Sequence, residues 1–201
     1  FYKTGAGTLA FGTFTSSTSG VIDVQAGTLL ANGTFDAESI TVDAGATLGG
    51  SGVINLTSGN AAAISSGASN GMLAPGESVG TLIVNGDVDL DGTLAIEIDA
   101  SGSDLLDVNG ALNLNSTTSV LDVTFINGYT PTDEETWDIA DWDSMTGSFS
   151  VTNINLPTVG GYFHWNTENL MTDGSITLAV PEPASLTILA VAGLALLRRW
   201  R

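Results

Sequence analysis

Apolar and polar residues alternate along much of this chain. Ile40, Val42 and Ala44 share one parity, and Thr41 and Asp43 the other. Val88 and Leu90 alternate with Asp87, Asp89 and Asp91. Leu94, Ile96 and Ile98 alternate with Thr93, Ala95, Glu97 and Asp99. Successive side chains of an extended chain point to opposite faces, so a period of two with one apolar set predicts half-buried strands. Asn32-Gly33, Asn85-Gly86, Asn109-Gly110 and Asn127-Gly128 punctuate these runs. Asn and Gly tolerate positive φ, so these pairs predict tight corners.

The first half is repetitive. A Gly/Ala-Thr-Leu unit recurs at Gly7-Thr8-Leu9, Gly27-Thr28-Leu29, Ala46-Thr47-Leu48, Gly80-Thr81-Leu82 and Gly92-Thr93-Leu94. Its first spacings are about 20 residues, the scale at which short strands stack as a parallel β-solenoid. Periodicity does not give strand direction, so an antiparallel sandwich also fits. Residues 59–71 are rich in Ala, Ser, Gly and Asn and read as a loop or a poorly formed rung.

From Val120 aromatic residues become frequent: Phe125, Tyr129, Trp137, Trp142, Phe149, Tyr162, Phe163 and Trp165. Predicted strands are Val120–Ile126, Thr136–Asp141, Ser148–Asn153, Tyr162–Trp165 and Ser175–Val180. An aromatic-rich antiparallel cap suits this place, because the last rung of a stack leaves N–H and C=O groups unpaired.

Composition narrows the function classes. The chain has 201 residues, 22 Asp and Glu against 4 Lys and Arg, and no Cys. The bases are Lys3, Arg198, Arg199 and Arg201, so nothing from Thr4 to Pro183 carries one. Such a surface repels phosphate backbones, which excludes nucleic acid as a partner. At low salt it also repels anionic lipid and anionic glycans. Disulfides and thiolate metal sites are impossible. The chain starts at Phe1 without a leader peptide, and the expectation is that it is the C-terminal part of a longer product.

The last segment differs from the rest. Pro181-Glu182-Pro183 cannot continue a strand, because proline lacks an N–H. Ala184–Leu197 then carries no charge, and Arg198, Arg199, Trp200 and Arg201 end the chain. A helix over Ala184–Leu197 would be about 21 Å long, against a hydrocarbon core of about 30 Å. Pro183 suits a first helical turn, snorkelling arginines extend the reach, and Trp200 is an interfacial residue. The sequence therefore predicts one short transmembrane helix. The positive-inside rule keeps Arg198, Arg199 and Arg201 cytoplasmic as membrane-retention residues and leaves the body outside.

Val180–Arg201 (VPEPASLTILAVAGLALLRRWR) resembles the PEP-CTERM sorting signal of exopolysaccharide-producing Gram-negative bacteria. The tripeptide, the apolar stretch and the arginine-rich end appear in that family's order. The resemblance implies that Pro181, Glu182 and Pro183 are recognised by an exosortase, a membrane-embedded cysteine protease of transpeptidase type. It implies transient inner-membrane anchoring with a periplasmic body, followed by release to the cell surface or biofilm matrix. Residues 41–54 (TVDAGATLGGSGVI), 73–90 (LAPGESVGTLIVNGDVDL), 103–114 (SDLLDVNGALNL) and 126–139 (INGYTPTDEETWDI) resemble autotransporter-associated β-strand repeats. That resemblance implies a parallel β-helix.

Several residue sets carry candidate chemistry. Asp87, Asp89 and Asp91, followed by Gly92, match the start of a calcium loop, but Ile98 stands where a bidentate acid belongs. They make at most a weak calcium site, with core-facing Val88 and Leu90 between wet aspartates as the simpler reading. No metal or other cofactor is assigned. Asp133, Glu134, Glu135, Asp138, Asp141 and Asp143 with Trp137 and Trp142 could engage a sugar, or form a solvated face whose tryptophans pack inward. His164 lacks the partners of a zinc site or a nucleophile motif.

The expected fold is all-β: a parallel β-helix or solenoid over 1–119, an aromatic-rich antiparallel β cap over 120–180, and a sorting signal with one short transmembrane helix over 181–201. The expected function is a non-enzymatic surface or matrix protein whose body serves as spacer or adhesive module. Exosortase, the inner membrane and exopolysaccharide are its expected partners. The alternative is a carbohydrate-binding module or carbohydrate-active enzyme with the same tail.

Overall fold

The computed structural model describes residues 1–12, 15–16, 20–56, 64–65, 71–115 and 117–180. Within them, β-branched and apolar residues at every second position form short strands. In the two larger sheets nearly every strand passes its neighbour in parallel rather than doubling back on it. Along one side of the larger sheet, here sheet A, Tyr2–Lys3, Val21–Val24, Ser39–Val42, Ile64–Ser65 and Val88–Leu90 lie in succession. Along its other side run Thr15–Ser16, Thr34–Ala37, Val53–Leu56 and Thr81–Asn85. Sheet B stacks Thr8–Phe11, Gly27–Ala31, Ala46–Gly50, Met72–Pro75, Thr93–Asp99, Val120–Phe125 and Ile154–Asn155. All of these pairings are parallel.

The two sides of sheet A meet on one strand, Leu105–Leu114. Its first half pairs with Thr81–Asn85 and its last residues with Val88–Leu90. Ala140–Thr146 covers its other edge, with a register shift between Val108 and Ala111. Gly110 sits at that bend, where a Cβ would run into the Gly86 carbonyl. A third, antiparallel sheet joins Glu135–Asp138, Ser175–Ala179 and His164–Asn166.

Parallel register puts like positions side by side. Inward residues form one continuous hydrophobic cluster that includes Val24, Leu48, Ile54, Leu82, Val88, Ile96, Leu106 and Leu121. Trp137, Ile176 and Leu178 of the antiparallel sheet belong to the same cluster. Outward polar residues line up too. Asn55 donates its side-chain amide to Asp36, Asn85 to Asn55 and Asn109 to Asn85, at 2.7, 2.6 and 2.8 Å. These bonds tie successive strands together along one rank, which includes the asparagines of the Asn85-Gly86 and Asn109-Gly110 pairs.

Two parts of the expected fold class are corrected. The first is the regular parallel β-helix. The structure is all-β with parallel sheets, but its strands do not repeat with a constant rung. Thr8 stands beside Thr28 and Gly27 beside Ala46, whereas Val53 stands beside Ile83 and Leu106 beside Ala140. The physical reason lies in Leu105–Leu114, which turns its corner without leaving the ladder and so fuses two faces into an 11-stranded sheet beside an 8-stranded one. The second is the transmembrane helix. No helix among the described residues is long and apolar enough to cross a membrane, and Val151–Asn153, a single 3₁₀ turn, is the helical element found there. Ala184–Leu197 lies outside the described residues.

Local readings fare unevenly. Val120–Phe125 and Ser175–Ala179 form strands where the alternation places them. Ser148–Asn153 does not. Ser150 and Thr152 share a side-chain hydrogen bond of 2.9 Å, and the Asn153 amide reaches the Ser119 carbonyl at 3.2 Å, so local polar contacts outcompete strand pairing. Ala44 is exposed in a turn rather than inward, because its strand ends at Val42. Residues 59–71 fall largely outside the described set, although Ile64–Ser65 bridges Ser39–Val42 and Val88–Leu90.

The two parities of a strand should respond differently to truncation. Ile96→Ala, deep in the cluster at 1% exposure, is expected to cost about 3 kcal/mol in chemical denaturation. Thr41→Ala, on the outward parity, should change stability by less than about 1 kcal/mol.

Candidate functional site

The outer face of sheet B carries a shallow groove of about 240 Å³. Register builds it. Thr28, Thr47 and Met72 stand side by side on one rank, and Leu30, Gly49 and Ala74 on the next. Ala95 beside Asp122, and Glu97 beside Thr124, continue it across the last two strands. Gly49, Ala74 and Ala95 keep the floor low. Pro75, Gly76, Glu77 and Asp104 line it as well.

Asp104 is the unusual residue here, because it is a carboxyl only 1% exposed. Its Oδ1 accepts the Gly80 N–H at 2.9 Å and its Oδ2 the Glu97 N–H at 2.8 Å. Its own N–H donates to the Glu97 carbonyl at 2.8 Å. Burial pushes its carboxyl up to about 7; the two backbone donors pull the other way, and the charges of Glu97 and Asp99 add to the rise. The turn it holds depends on Gly76, whose φ is +84° and whose N–H and carbonyl both bond to Gly50. A Cβ there would overlap the Ser78 carbonyl oxygen and sit 2.6 Å from Asp104 Oδ1.

Sequence reasoning passed over Asp104, yet a signal was present. Asp104 shares the parity of Leu106 and Val108, so alternation directs it inward. An acid on the apolar parity of a strand is a buried polar group that must find donors. The donors come from a turn and a strand that only the fold brings near.

The calcium candidates do not converge. Asp87, Asp89 and Asp91 lie along one strand segment, and each bonds outward to the chain that follows. Asp87 accepts the Ala111 N–H at 2.8 Å, Asp89 the Asn113 amide at 2.8 Å and Asp91 the Thr118 hydroxyl at 3.1 Å. Val88 and Leu90 between them are buried. Among the described residues no group of three or more acids or histidines is placed to hold a metal ion.

The acidic cluster with two tryptophans divides. Trp137 is buried, with ring centroids 5.6 Å from Trp165 and 6.3 Å from Phe125. Glu135 accepts the Tyr129 hydroxyl at 2.5 Å; desolvation first, then Glu135, pushes that phenol up to about 12. Glu134 accepts the Val180 N–H at 2.9 Å. Phe125, Tyr129, Pro131, Val159 and Phe163 border a second cavity of about 190 Å³. Asp141 and Asp143 stand away from these groups, on the strand beside Leu105–Leu114, where Asp141 is the direct neighbour of Asp107. His164 is exposed in the antiparallel sheet, beside Ala179.

Pro181, Glu182 and Pro183, like Arg198, Arg199 and Arg201, lie outside the described residues. The last described residue, Val180, is tied to the body through Glu134. No family model matches this chain, and no curated protein does.

The Asp107–Asp141 pair makes a test of the acidic surface. Desolvation raises the Asp107 carboxyl above its ordinary range, and Asp141 and Asp143 raise it further. A carboxyl that holds its proton more tightly when folded contributes stability at low pH and loses it as pH rises through the raised value. Asp141→Asn should therefore stabilise the protein by about 0.5 kcal/mol at pH 7, the scale of a like-charge pair across two strands. The gain should shrink toward pH 4 and in high salt when thermal unfolding is followed by circular dichroism.

Proposed function

We propose that this chain is a non-enzymatic, exported surface or extracellular-matrix protein, processed at Pro181-Glu182-Pro183 by an exosortase. The observation that carries the reading is the tail: the tripeptide, the uncharged run Ala184–Leu197 and the arginines of 198–201 in that order. The tail holds the chain at the inner membrane with its body in the periplasm until processing delivers it to the surface or matrix. The body supports this reading. Its parallel stack presents long ranks of hydroxyls, amides and carboxylates, a surface that stays hydrated and rejects anionic polymers. A spacer or adhesive module needs that kind of surface and no reacting centre.

A second reading is favoured by the sheet B groove, where an apolar floor lies among threonine hydroxyls and the carboxylates of Glu77, Glu97 and Asp122, groups that could accept the hydroxyls of a neutral polysaccharide. Both oxygens of Asp104 are engaged by backbone donors, which suits binding without turnover. A carbohydrate-binding module carrying the same tail is this second reading, with exopolysaccharide as its ligand.

Replacing Pro181-Glu182-Pro183 with three alanines should leave the full-length form at the inner membrane, read by the mass and fractionation of the body in a host that has an exosortase. An unchanged mature mass and location would refute the sorting reading. Incubation with matrix polysaccharides separates the two versions of the body: retention without product supports the binding module, and no retention supports the spacer.

A further inference from the structure

The sheet B groove holds carboxylates that no bond in the fold uses. Leu30, Met72, Ala74 and Ala95 give it apolar surface, and Thr28, Thr47 and Thr124 set hydroxyls beside that surface. Glu97 and Asp122 stand on adjacent strands with the same outward parity, since Asp122 pairs with Ala95 and Glu97 with Thr124. Glu77 joins them from the 76–80 turn, which Asp104 ties to the Thr93–Asp99 strand through the Gly80 and Glu97 N–H groups. Among the described residues no hydrogen bond or salt bridge engages the side chains of Glu77, Glu97 and Asp122. Asp36, Asp87, Asp89 and Asp99, on other faces, all have donors.

Asp104 lines the same groove at 1% exposure, and both its oxygens accept backbone N–H groups, the arrangement that favours a carboxylate. Among the described residues Lys3 is the one Lys or Arg, and its ammonium donates to the Gly5 and Ala26 carbonyls at 2.7 Å each. A depression lined by acids, with no base of its own, is complementary to a cation. We propose that the groove takes a cationic amino-sugar polymer, whose rings lie over the apolar floor and whose free ammonium groups meet Glu97, Asp122 and Glu77. This rests on the carbohydrate-binding reading and sharpens it from a neutral polymer to a positively charged one.

Two features favour a sugar over a basic peptide. The strands of the floor, Gly27–Ala31, Ala46–Gly50, Met72–Pro75 and Thr93–Asp99, are each paired on both edges, so an extended peptide finds no free ladder there to extend. Recognition has to pass through side chains. A pyranose ring presents an apolar C–H face bordered by polar groups, and the groove presents small apolar side chains bordered by hydroxyls and carboxylates. Neighbouring strands are about 4.8 Å apart, so the five strands lining the groove spread these groups over about 19 Å, room for several rings in a row.

Calorimetric titration of the 201-residue chain at about 0.15 M salt tests this. The probes are a β-linked glucosamine oligomer, its fully N-acetylated counterpart, the matching glucose oligomer, and an oligolysine of equal charge. The glucosamine oligomer should bind at least about tenfold more tightly than the other three, the scale of one charge-assisted hydrogen bond. Glu97→Gln and Asp122→Asn keep the shape of side chains that make no bond in the fold, and each should weaken that binding about tenfold. Asp141→Asn, on the strand beside Leu105–Leu114, should leave it unchanged. If the acetylated or glucose oligomer binds as tightly, the cationic assignment is overturned and the carbohydrate-binding reading stands. If no sugar binds, both fall. If oligolysine binds as tightly, or Asp141→Asn costs as much as the groove variants, the attraction is a diffuse effect of the net charge of −18 and the proposal is overturned.

Discussion

Parallel pairing of strands distant in sequence is the constraint on which the two larger sheets rest. A strand of four or five residues cannot hold itself. Its hydrogen-bonding groups are satisfied only when the next circuit arrives in register, and its apolar parity is buried only when that circuit lays its own apolar parity alongside. Both conditions are met at once, which is why Val24, Ile40, Leu48, Val84, Val88 and Leu106 all sit in one cluster. A slip of one residue would send every one of them to the wet face.

Near-absence of basic side chains shapes what that stack can do with its acids. Among the described residues Lys3 is the one Lys or Arg, so aspartates draw on backbone N–H groups or on hydroxyl and amide side chains. Asp99 uses both: the Ser101 hydroxyl, the Ser101 N–H and the Asn127 amide hold it below the usual carboxylate range. Asp89 and Asp36 take the second through Asn113 and Asn55. Asp104 and Asp138 sit at the other extreme, where burial outweighs the help their surroundings give and the carboxyl is raised. The same composition thus yields opposite proton affinities a few residues apart, decided by depth in the fold.

The groove and the tail are separate sources of function. The tail rests on linear chemistry that a processing enzyme would read without reference to the body. The groove rests on register: its floor is low because Gly49, Ala74 and Ala95 fall beside one another's ranks, and Gly76 joins its lining by a left-handed turn against Gly50.

The sequence by itself determined the all-β class, the inward and outward parities of strands such as Val88–Leu90 and Thr93–Asp99, and the strongly acidic charge balance. These follow from neighbours along the chain, where period and charge are directly legible. It also carried the tail motif, whose order of parts is linear. Only the tertiary structure decided that the spacing would not stay regular, that Leu105–Leu114 would fuse two faces into one sheet, and that Ser148–Asn153 would leave the ladder. It alone separated Asp87, Asp89 and Asp91 into three unrelated bonds and drew Asp104 between Gly80 and Glu97. The physical reason is the same throughout. A residue's parity is set by its own strand, but its partners come from a circuit some twenty to thirty residues away, and their identity depends on how many residues each intervening corner consumes.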